Sequence, residues 1–480
     1  MDYVISPYVR LVARGSETAV YHSLFGNLVL LDEHALNLLN AFRDRRNAED
    51  VIGAQPVRQR PTVRAAISAF EHRGFLSTSE RDDHELLLRA RETRARFAGQ
   101  GSLLRMLQLV LCNTCNEHCT YCLADSIYSS QDRERVQHSR ENLWMSPKIA
   151  RAAVGEFTRL LASQGVSHMH VEFFGGEPLM NWDAIDAVLT SYGADVASEM
   201  RYTFSVTTNG LLLTPAMMDI LARNDVTTTV SIDGPETIFS HAGTESKGLD
   251  RVRDRIRMLH SRGGLVTVNT VIGMRTLETF RGRDLLEQLA DCGVNTVGLI
   301  LDLSPQFYTS PSRCAAAAEA LLSTWRLGIR SGMNVVGYWH QVFAQIMGWR
   351  PHFLQSGYKT CPATGCKLSV EPDGSLFSCK CCSIQLGHLD DLETAIASDD
   401  YLAYALRVVP LDSPCRGCDI EGFCSGHCMG AMETDGCPGP HDLAGLCDIY
   451  REITRNMIRE VPSSQVEAMC IGNIEEGVGA

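Results

Sequence analysis

Short β-branched runs alternate with amphipathic helical stretches from residue 107 onward, and this alternation limits the possible folds more than any other feature of the chain. Helical stretches such as PKIARAAVGEFTRLLASQG and FRGRDLLEQLADCG separate the runs. Repeated βα units of this kind build a parallel sheet. The strand candidates are LQLVL, HVEFFGG, YTFSVTTN, TTTVSID, VTVNTVIG and TVGLILDL. Six strands are too few for a closed eight-stranded barrel. We therefore predict an α/β fold with a partial (β/α)6 TIM-like barrel and reactive groups at the carboxyl ends of its strands.

The segments on either side of this barrel follow other patterns. Residues 1–78 carry short strand candidates followed by two helical stretches, which predicts a small winged-helix-like domain. The charged residues 79–104 have helical spacing without a core of their own, as a linker helix would. We assign 105–335 to the barrel, 336–460 to a cysteine-rich domain ending in the helix DIYREITRNMIREV, and 461–480 to a tail with little pattern.

The composition excludes several classes of protein. A net charge of −13 repels nucleic acid and anionic membranes, and no basic patch offsets it. The chain lacks a run of about 18 apolar residues, and its beginning, MDYVISPYVRLVARG, does not resemble a secretion signal. We therefore expect a cytoplasmic protein without a nucleic-acid or membrane partner. In that reducing compartment, its 18 cysteines favour metal ligation or thiol chemistry over disulfides.

The cysteines are grouped in a way that core packing would not produce. Four fall within residues 112–122 and eleven within residues 361–447. Directly after the first predicted strand, a C-x3-C-x2-C motif is formed by Cys115, Cys119 and Cys122. Three thiolates are one short of the four that close a [4Fe–4S] cluster or a structural zinc site, so one metal position is left open. In the alternative, a zinc knuckle, Cys112 supplies the fourth ligand, although it lies within an apolar strand.

The next predicted strands end in turns rich in glycine and polar residues. The second strand ends in Gly175, Gly176, Glu177 and Pro178. Two glycines let the backbone approach a ligand closely, and a neighbouring carboxylate can pair with an ammonium group. The third and fourth strands end in TNG, with Asn209, and in SIDG, with Ser231 and Asp233. Their polar groups can hold ribose hydroxyls, but such residues also favour ordinary turns.

The cysteine motif and the turns that follow it resemble the radical S-adenosylmethionine (SAM) superfamily. The resemblance implies that SAM chelates the open iron through its amino and carboxylate groups. Reductive cleavage of the sulfonium then gives a 5′-deoxyadenosyl radical. It further implies that Tyr121 lies against the adenine, that the GGEP segment accepts hydrogen bonds from the methionine amino group, and that Asn209, Ser231 and Asp233 lie near the cofactor. Val271, on the fifth strand, matches a segment on the adenine side.

The sequence departs from many relatives after the fourth strand. Those relatives carry an arginine there that is proposed to face the cofactor carboxylate. Here the stretch is PETIFSHAGTESKGLD, and no arginine occurs before Arg251. His241 and Lys247 are candidate substitutes, and the partner of the carboxylate stays open.

The C-terminal cysteines resemble the SPASM extension of peptide- and protein-modifying members of the superfamily. The resemblance implies two auxiliary [4Fe–4S] clusters, and hence three clusters in all. The first auxiliary set would comprise Cys361, Cys366, Cys379 and Cys428. The second auxiliary set would comprise Cys415, Cys418, Cys424 and Cys447. Zinc is the alternative, since C-x2-C pairs are common zinc ligands, but the upstream motif favours iron–sulfur clusters. The roles of Cys381, Cys382 and Cys437 stay open.

Lys380, directly after the third cysteine of the first auxiliary set, bears on the type of reaction. In related anaerobic sulfatase maturases, an aspartate at this position serves as a base. A lysine acts as a base only when its pKa is strongly lowered. This residue therefore counts against sulfatase-maturase-like protein oxidation.

The N-terminal segment YVRLVARGSETAVYHSLFGNLVLLDEHALNLLNAF resembles the small peptide-recognition domains of enzymes that mature ribosomally made peptides. Such a domain binds an extended leader peptide as an added strand. The alternative, a DNA-binding winged helix, is weakened by the acidic chain.

Together these features predict a radical SAM maturase that installs an oxidative crosslink in a precursor peptide with a leader, as a thioether, C–C or C–O bond. We expect a reductant such as flavodoxin or ferredoxin. Peptide epimerisation is an alternative that the sequence does not separate from crosslinking. A zinc-binding adaptor or regulator is the non-enzymatic alternative.

Overall fold

The computed structural model describes residues 1–78, 82–117, 122, 143–232, 247–274, 276–302, 305–348, 359–407, 415–433 and 444–469. None of the helices in these ranges combines the length and the hydropathy needed to cross a bilayer.

The N-terminal region contains the strands and helices that the sequence predicts, together with shorter elements that it does not. The elements are β1 (Asp2–Ile5), β2 (Val9–Arg14), β3 (Glu17–His22), β4 (Gly26–Leu31), α1 (Glu33–Asn40), β5 (Arg46–Asn47), α2 (Ala48–Gly53), α3 (Arg60–His72) and β6 (Leu76–Ser77). Strands β2, β3 and β4 form an antiparallel meander, and β1 pairs with both β5 and β6. Buried residues of β4, α1 and α3, such as Leu31, Leu39 and Phe70, form a separate apolar core.

Helix α4 (Asp83–Gly99) is fixed to the protein at both ends. At its first residue, Asp83 accepts a 2.6 Å hydrogen bond from the Ser6 hydroxyl and lies 3.3 Å from His22 Nε2, all three residues being buried. Nearer its end, the fully buried Arg94 donates to the carbonyl oxygens of Thr364 (2.5 Å) and Ala405 (3.3 Å). The predicted linker helix therefore braces the cysteine-rich region against the N-terminal domain.

All six predicted barrel strands are present, and two more parallel strands extend the sheet. The strands are β7 (Met106–Val110), β8 (His168–Phe174), β9 (Arg201–Thr208), β10 (Thr227–Ser231), β11 (Val266–Ile272), β12 (Thr296–Leu301), β13 (Asn334–Val336) and β14 (Lys367–Val370). Their spatial order is β13-β12-β11-β10-β9-β8-β7-β14. The α/β fold with a partial barrel is confirmed, but the count of six strands is too low. Strand β13 is only three residues long, and β14 lies among the cysteines, where no alternation marks it.

Helices cover the convex face of this sheet. They are α5 (Pro147–Ser163), α6 (Trp182–Tyr192), α7 (Pro215–Arg223), α8 (Lys247–Ser261), α9 (Gly282–Ala290), α10 (Pro311–Ser331) and α11 (Tyr338–Ile346). Alternate strand residues are fully buried beneath them, as β11 illustrates. The other residues are mostly polar and bond across strands on the concave face. His170, for example, contacts the Thr203 and Ser205 hydroxyls at 2.9 and 2.8 Å. This polar concave face leaves room for a substrate, because apolar side chains do not fill it.

The cysteine-rich region packs against both other parts of the chain. Its elements are β15 (Ser375–Phe377), β16 (Gly387–His388), α12 (Leu392–Ala397), α13 (Asp399–Leu406), α14 (Met429–Met432), α15 (Ala444–Glu460) and β17 (Ala468–Met469). The Gly422 amide donates to Ser23 O at 2.9 Å, and a Cβ at Gly422 would lie 2.1 Å from Leu24 O. Arg10 Nε is bonded to Asp419 at 2.6 Å. Part of the segment predicted as a patternless tail forms β17, which joins β4.

Candidate active site

The described part of the chain includes most of the residues that the sequence singles out. Those that lie outside it are Cys119, Tyr121, Asp233, His241 and Cys437. The others occupy two regions, one at the carboxyl ends of β7 to β11 and one in the cysteine-rich segment beside β14.

Cys112, the proposed fourth ligand of a zinc knuckle, is buried and engaged within the protein. Its Sγ donates to the carbonyl oxygens of Thr114 and Glu177, both at 3.3 Å. Burial raises the pKa of the Cys112 thiol, and the hydrogen bonds that the thiol donates also favour its neutral form. A neutral thiol held in this way is a poor metal ligand, because metals bind the thiolate. This geometry disfavours the zinc-knuckle alternative.

The GGEP segment lies directly against the loop that carries Cys115. The Gly176 amide donates to Cys112 O at 2.8 Å, and the Glu177 amide donates to Thr114 O at 2.9 Å. A Cβ would lie 2.6 Å from Cys112 O at Gly175 and 2.2 Å from Thr114 O at Gly176. The two glycines therefore let the GGEP backbone lie close to the cysteine loop. A close approach of this backbone to a ligand stays a prediction from the sequence. Pro178 begins a short 3-10 helix, Pro178–Asn181, that ends the turn.

The Glu177 carboxylate joins the ends of two strands. It is 1% exposed, and it accepts hydrogen bonds from Leu179 N (3.0 Å), Thr208 Oγ1 (2.7 Å) and Asn209 N (2.9 Å). Burial raises the pKa of this carboxyl group, and the three donors oppose that rise. These contacts show that the Glu177 side chain connects the GGEP turn to the end of β9.

Asn209 continues this connection to the cysteine loop. Its Nδ2 donates to Asn116 Oδ1 at 2.8 Å, and its Oδ1 accepts from Leu211 N at 2.9 Å. Asn116 directly follows Cys115, so the turn after β9 supports the predicted cluster loop. Sequence reasoning did not identify Asn116 as a supporting residue, because its contact is with a segment distant in the sequence.

Ser231 and Val271 lie farther along the same edge of the sheet. Ser231 ends β10 and is in register with Asn269 of β11. Val271 lies two residues beyond Asn269. Ser231, Asn269 and Val271 are all half-buried, and their side chains lie on the concave face of the sheet. The described residues predicted to contact the cofactor thus share one end of the barrel, as expected for the carboxyl ends of parallel strands.

Several C-terminal cysteines that the sequence assigns to one set lie near one another, as Cys361 does to Cys366 and Cys379, and Cys447 to Cys415 and Cys418. Burial, followed by the neighbouring Cys379 thiolate, raises the pKa of Cys361 to about 11. In the other set, burial and the thiolates of Cys415 and Cys418 raise the pKa of Cys447 to about 11. The position of Cys447 is consistent with the second predicted set, whereas Cys428 is near Cys381. Cys381 also lies within hydrogen-bonding reach of the first set, and its contact with Cys379 contributes to the pKa shifts of both thiols.

These surroundings fit anionic iron–sulfur clusters. Lys367 is buried among the thiols of the first auxiliary set and lies 3.8 Å from Glu172. Burial alone would lower the pKa of Lys367, but the Cys379 thiolate and the Glu172 carboxylate raise it well above its ordinary value. Thiolate donors beside a fixed cation suit a cluster with net negative charge. Within the described ranges, no three Cys, His, Asp or Glu side chains are arranged to hold a single metal ion.

Lys380 connects the first auxiliary set to the mouth of the barrel. Its amide donates to Gln108 Oε1 at 3.0 Å, and Gln108 Nε2 donates to Glu172 at 2.8 Å. The Lys380 ammonium lies 3.4 Å from the centroid of the Phe174 ring, a cation–π contact. Phe174 ends β8 and directly precedes Gly175, so this lysine reaches the edge where the SAM site is predicted.

Tyr338 is a further residue of this region that the sequence does not reveal. It begins α11 just after β13, a strand that the sequence does not predict. Its side chain is 45% exposed. Shielding by surrounding protein and the thiolates of Cys361 and Cys379 raise the pKa of its phenol. Tyr338 is therefore an exposed residue near the thiols of the first auxiliary set.

Comparison with known proteins identifies the class of enzyme. The model of the radical SAM superfamily matches residues 109–281, which begin in β7 and include the Cys115 loop, the GGEP segment and β11. These residues form a radical SAM domain, as predicted. It uses SAM and a [4Fe–4S] cluster.

Similarity to individual proteins extends over nearly the whole chain. The chain is 28% identical over 458 residues to the radical SAM cyclopropyl synthase TigE of Paramaledivibacter caminithermalis, covering 95% of this chain and 96% of that protein. Its fold is similar to that of anSMEcpe with bound AdoMet, with a TM-score of 0.56 and 16% identity over 76% of this chain and 100% of that one. It is also similar to Streptococcus suis SuiB bound to the precursor peptide SuiA, with a TM-score of 0.52 and 16% identity over 90% and 96% of the two chains.

Proposed function

We propose that this enzyme modifies a ribosomally made precursor peptide by oxidative carbon–carbon bond formation that closes a ring within the peptide. The observation that carries the proposal is the similarity to a cyclopropyl synthase across 95% of this chain. That similarity includes the N-terminal domain and the cysteine-rich domain as well as the barrel. Among the oxidative crosslinks expected from the sequence, it favours the C–C bond over the thioether and C–O bonds.

The reaction needs two one-electron oxidations of the substrate. When bound, SAM and its cluster supply the 5′-deoxyadenosyl radical that removes one hydrogen atom from a substrate C–H bond. Ring closure then removes one more electron and one proton from the substrate. We propose that the two auxiliary sets of cysteines hold [4Fe–4S] clusters that accept this electron. A reductant such as flavodoxin or ferredoxin would supply the electron for reductive cleavage of SAM at the radical site.

The chain's own residues would order these events. The contacts of the GGEP and TNG turns support a fixed position for Cys115 and Asn116. The polar concave face, with residues such as Asn269, offers hydrogen-bonding partners to peptide amides. Lys380 lies where a substrate between the two cluster sites would meet it, since it contacts Phe174 at the barrel end.

We further propose that the N-terminal domain binds the leader of the precursor. Its antiparallel meander ends in β4, and the side of β4 that pairs with the short strand β17 is one to which an extended peptide could add main-chain hydrogen bonds instead. The net charge of −13 disfavours DNA at this domain. We expect the enzyme in the cytoplasm, because thiol ligands and low-potential electron transfer need a reducing compartment.

Anaerobic reconstitution and co-expression test the proposal. We expect about 12 irons per chain, for three [4Fe–4S] clusters, and reductive cleavage of SAM. Co-expression with the short peptide encoded beside the gene should lower the mass of that peptide by two hydrogen atoms per modification. Carbon-13 NMR of the product should then show a new C–C bond. An unchanged peptide mass would contradict the proposed oxidation, and stoichiometric zinc without SAM cleavage would favour an adaptor.

A further inference from the structure

A segment near the C-terminal end of the chain occupies the outer edge of the N-terminal sheet. The short strand β17 pairs in parallel with β4, with Ala468 opposite Leu30 and Met469 opposite Leu31. The Leu30 amide donates to Glu467 O at 2.9 Å. The strand order of this sheet is therefore β17-β4-β3-β2. The edge at which an added peptide would form its main-chain bonds is thus already in use.

The side chains of this segment also have specific partners. Glu467 forms an ion pair with Arg73, which directly follows α3 and is 19% exposed. Met469 packs against the apolar core of the N-terminal domain, and Ala468 between them is exposed. Residues two apart on a strand lie on one face. The groove between β4 and the end of α3 thus accepts an acidic residue followed two positions later by an apolar one.

The chain reaches this groove along a defined path. After α15, Arg14 donates to the carbonyl oxygen of Val461. The Ser463 hydroxyl then donates to Glu17 at 2.8 Å. Arg14 and Glu17 flank the turn between β2 and β3, so the segment crosses the sheet before it joins β4. Contacts along this whole path distinguish it from a single chance pairing.

We propose that residues 467–469 are a built-in competitor for the peptide-binding edge, and that the partner of this edge is an extended peptide with an acidic residue two positions before an apolar residue. Identifying that partner as the leader of the precursor rests on the proposed function. A tethered segment competes at an effective concentration in the millimolar range. A separate peptide can bind only to the fraction of enzyme molecules whose edge the tail has left. Its apparent affinity is therefore reduced in proportion to that fraction.

A labelled copy of the tail tests the assignment on the full-length enzyme. The probe is a synthetic peptide with the sequence of residues 462–474 and serine in place of Cys470. The tail of the enzyme is weakened by the double substitution Glu467→Arg and Met469→Asp, and the exposed Gln465→Ala in the same tail is the matched control. By fluorescence anisotropy, we expect the double variant to bind the probe about tenfold more tightly than the wild type and the control do. Equal affinity for all three proteins would overturn the proposal.

A charge exchange tests the specificity of the groove. In the tail-weakened enzyme, Arg73→Glu should reduce probe binding at least about tenfold. A probe that carries Glu467→Arg should restore binding to that variant, which also shows that the variant is folded. If the Arg73→Glu variant binds neither the original probe nor the probe with Glu467→Arg, the proposed recognition of the acidic residue is wrong.

Hydrogen exchange separates the edge assignment from the proposed function. The Leu30 amide should exchange faster in the tail-weakened enzyme than in the wild type, and added probe should slow it again, as followed by mass spectrometry of fragments covering β4. Unchanged exchange would overturn occupancy of the edge by the tail. If the probe binds and the precursor leader does not, the proposed leader recognition fails while the edge assignment stands.

Discussion

A single methyl group at Gly176 should disable the radical site. The Cβ of an alanine there would lie 2.2 Å from Thr114 O and 2.9 Å from Cys115 N, both backbone atoms. A carbon and an oxygen in contact need about 3.3 Å. The GGEP segment and the cysteine loop must therefore separate by roughly 1 Å to relieve the contact with the oxygen. Backbone atoms cannot relieve such a contact by changing a rotamer.

The cost of this separation follows from the bonds that it breaks. The bonds from Gly176 N to Cys112 O and from Glu177 N to Thr114 O measure 2.8 and 2.9 Å, and each contributes about 0.5–1.5 kcal/mol. Overpacking adds about 1–3 kcal/mol. The local destabilisation is then roughly 2–6 kcal/mol. Because a displacement of about 1 Å in an active site can reduce a rate 100-fold, we expect SAM cleavage to fall by about that factor.

The assay measures 5′-deoxyadenosine by liquid chromatography after anaerobic reconstitution and reduction with dithionite. Gly175→Ala should be impaired as well, because its Cβ would lie 2.6 Å from Cys112 O and because its φ of +154° is one that alanine rarely adopts. Gly53→Ala meets no atom within 4 Å and is the matched control, with wild-type activity expected. A Gly176→Ala enzyme that retains more than about one third of wild-type SAM cleavage would refute the argument, since it predicts a loss near 100-fold.

Three further substitutions test other parts of the site. Cys115→Ala should abolish SAM cleavage, whereas Cys112→Ala should retain it, because Cys112 is bonded to carbonyl oxygens; loss of cleavage in both would revive the zinc-knuckle alternative. Arg94→Leu should lower the free energy of unfolding by about 2–4 kcal/mol in urea titrations, since two buried carbonyl groups lose their donor, while the exposed Arg96→Leu should not. Lys380→Met should leave SAM cleavage without peptide unchanged. It should reduce the yield of modified peptide about tenfold, which corresponds to a loss of roughly 1.4 kcal/mol in the positioning of the substrate. Equal yields of modified peptide by mass spectrometry would contradict a role for Lys380 near the substrate.

The predictable parts of this fold are those that local sequence specifies. Strands such as β8 and β11 were predicted because seven residues give a clear run bounded by turn residues. Strand β13 was missed because Asn334–Val336 is too short to show a period. Strand β17 was missed because two residues become a strand only through β4, a partner far away in the sequence. Pairing of this kind depends on tertiary structure and leaves no local pattern.

The same division applies to the candidate site. Cysteine spacing indicated the metal chemistry, because a ligand set close in sequence is visible as a motif. The hydrogen bonds that hold the site in place could not be predicted from the sequence. Thr208 and Asn209 bind a carboxylate on another strand, and Gln108 joins β7 to the segment of Lys380. Each is an ordinary polar residue on a strand until the fold brings its partner near.

The placement of β14 bears on how the two proposed redox sites work on one substrate. This strand directly follows Cys366 and pairs in parallel with β7, the strand that leads into the Cys115 loop. The amides of Arg105 and Met106 both donate to Cys366 O, at 2.9 and 3.0 Å. The backbone of the first auxiliary set is therefore part of the barrel sheet, and a hydrogen-bonded sheet does not allow it to move independently of β7. A substrate held between them would meet both sites at a fixed separation, so hydrogen abstraction and electron removal could occur without release or reorientation of the peptide.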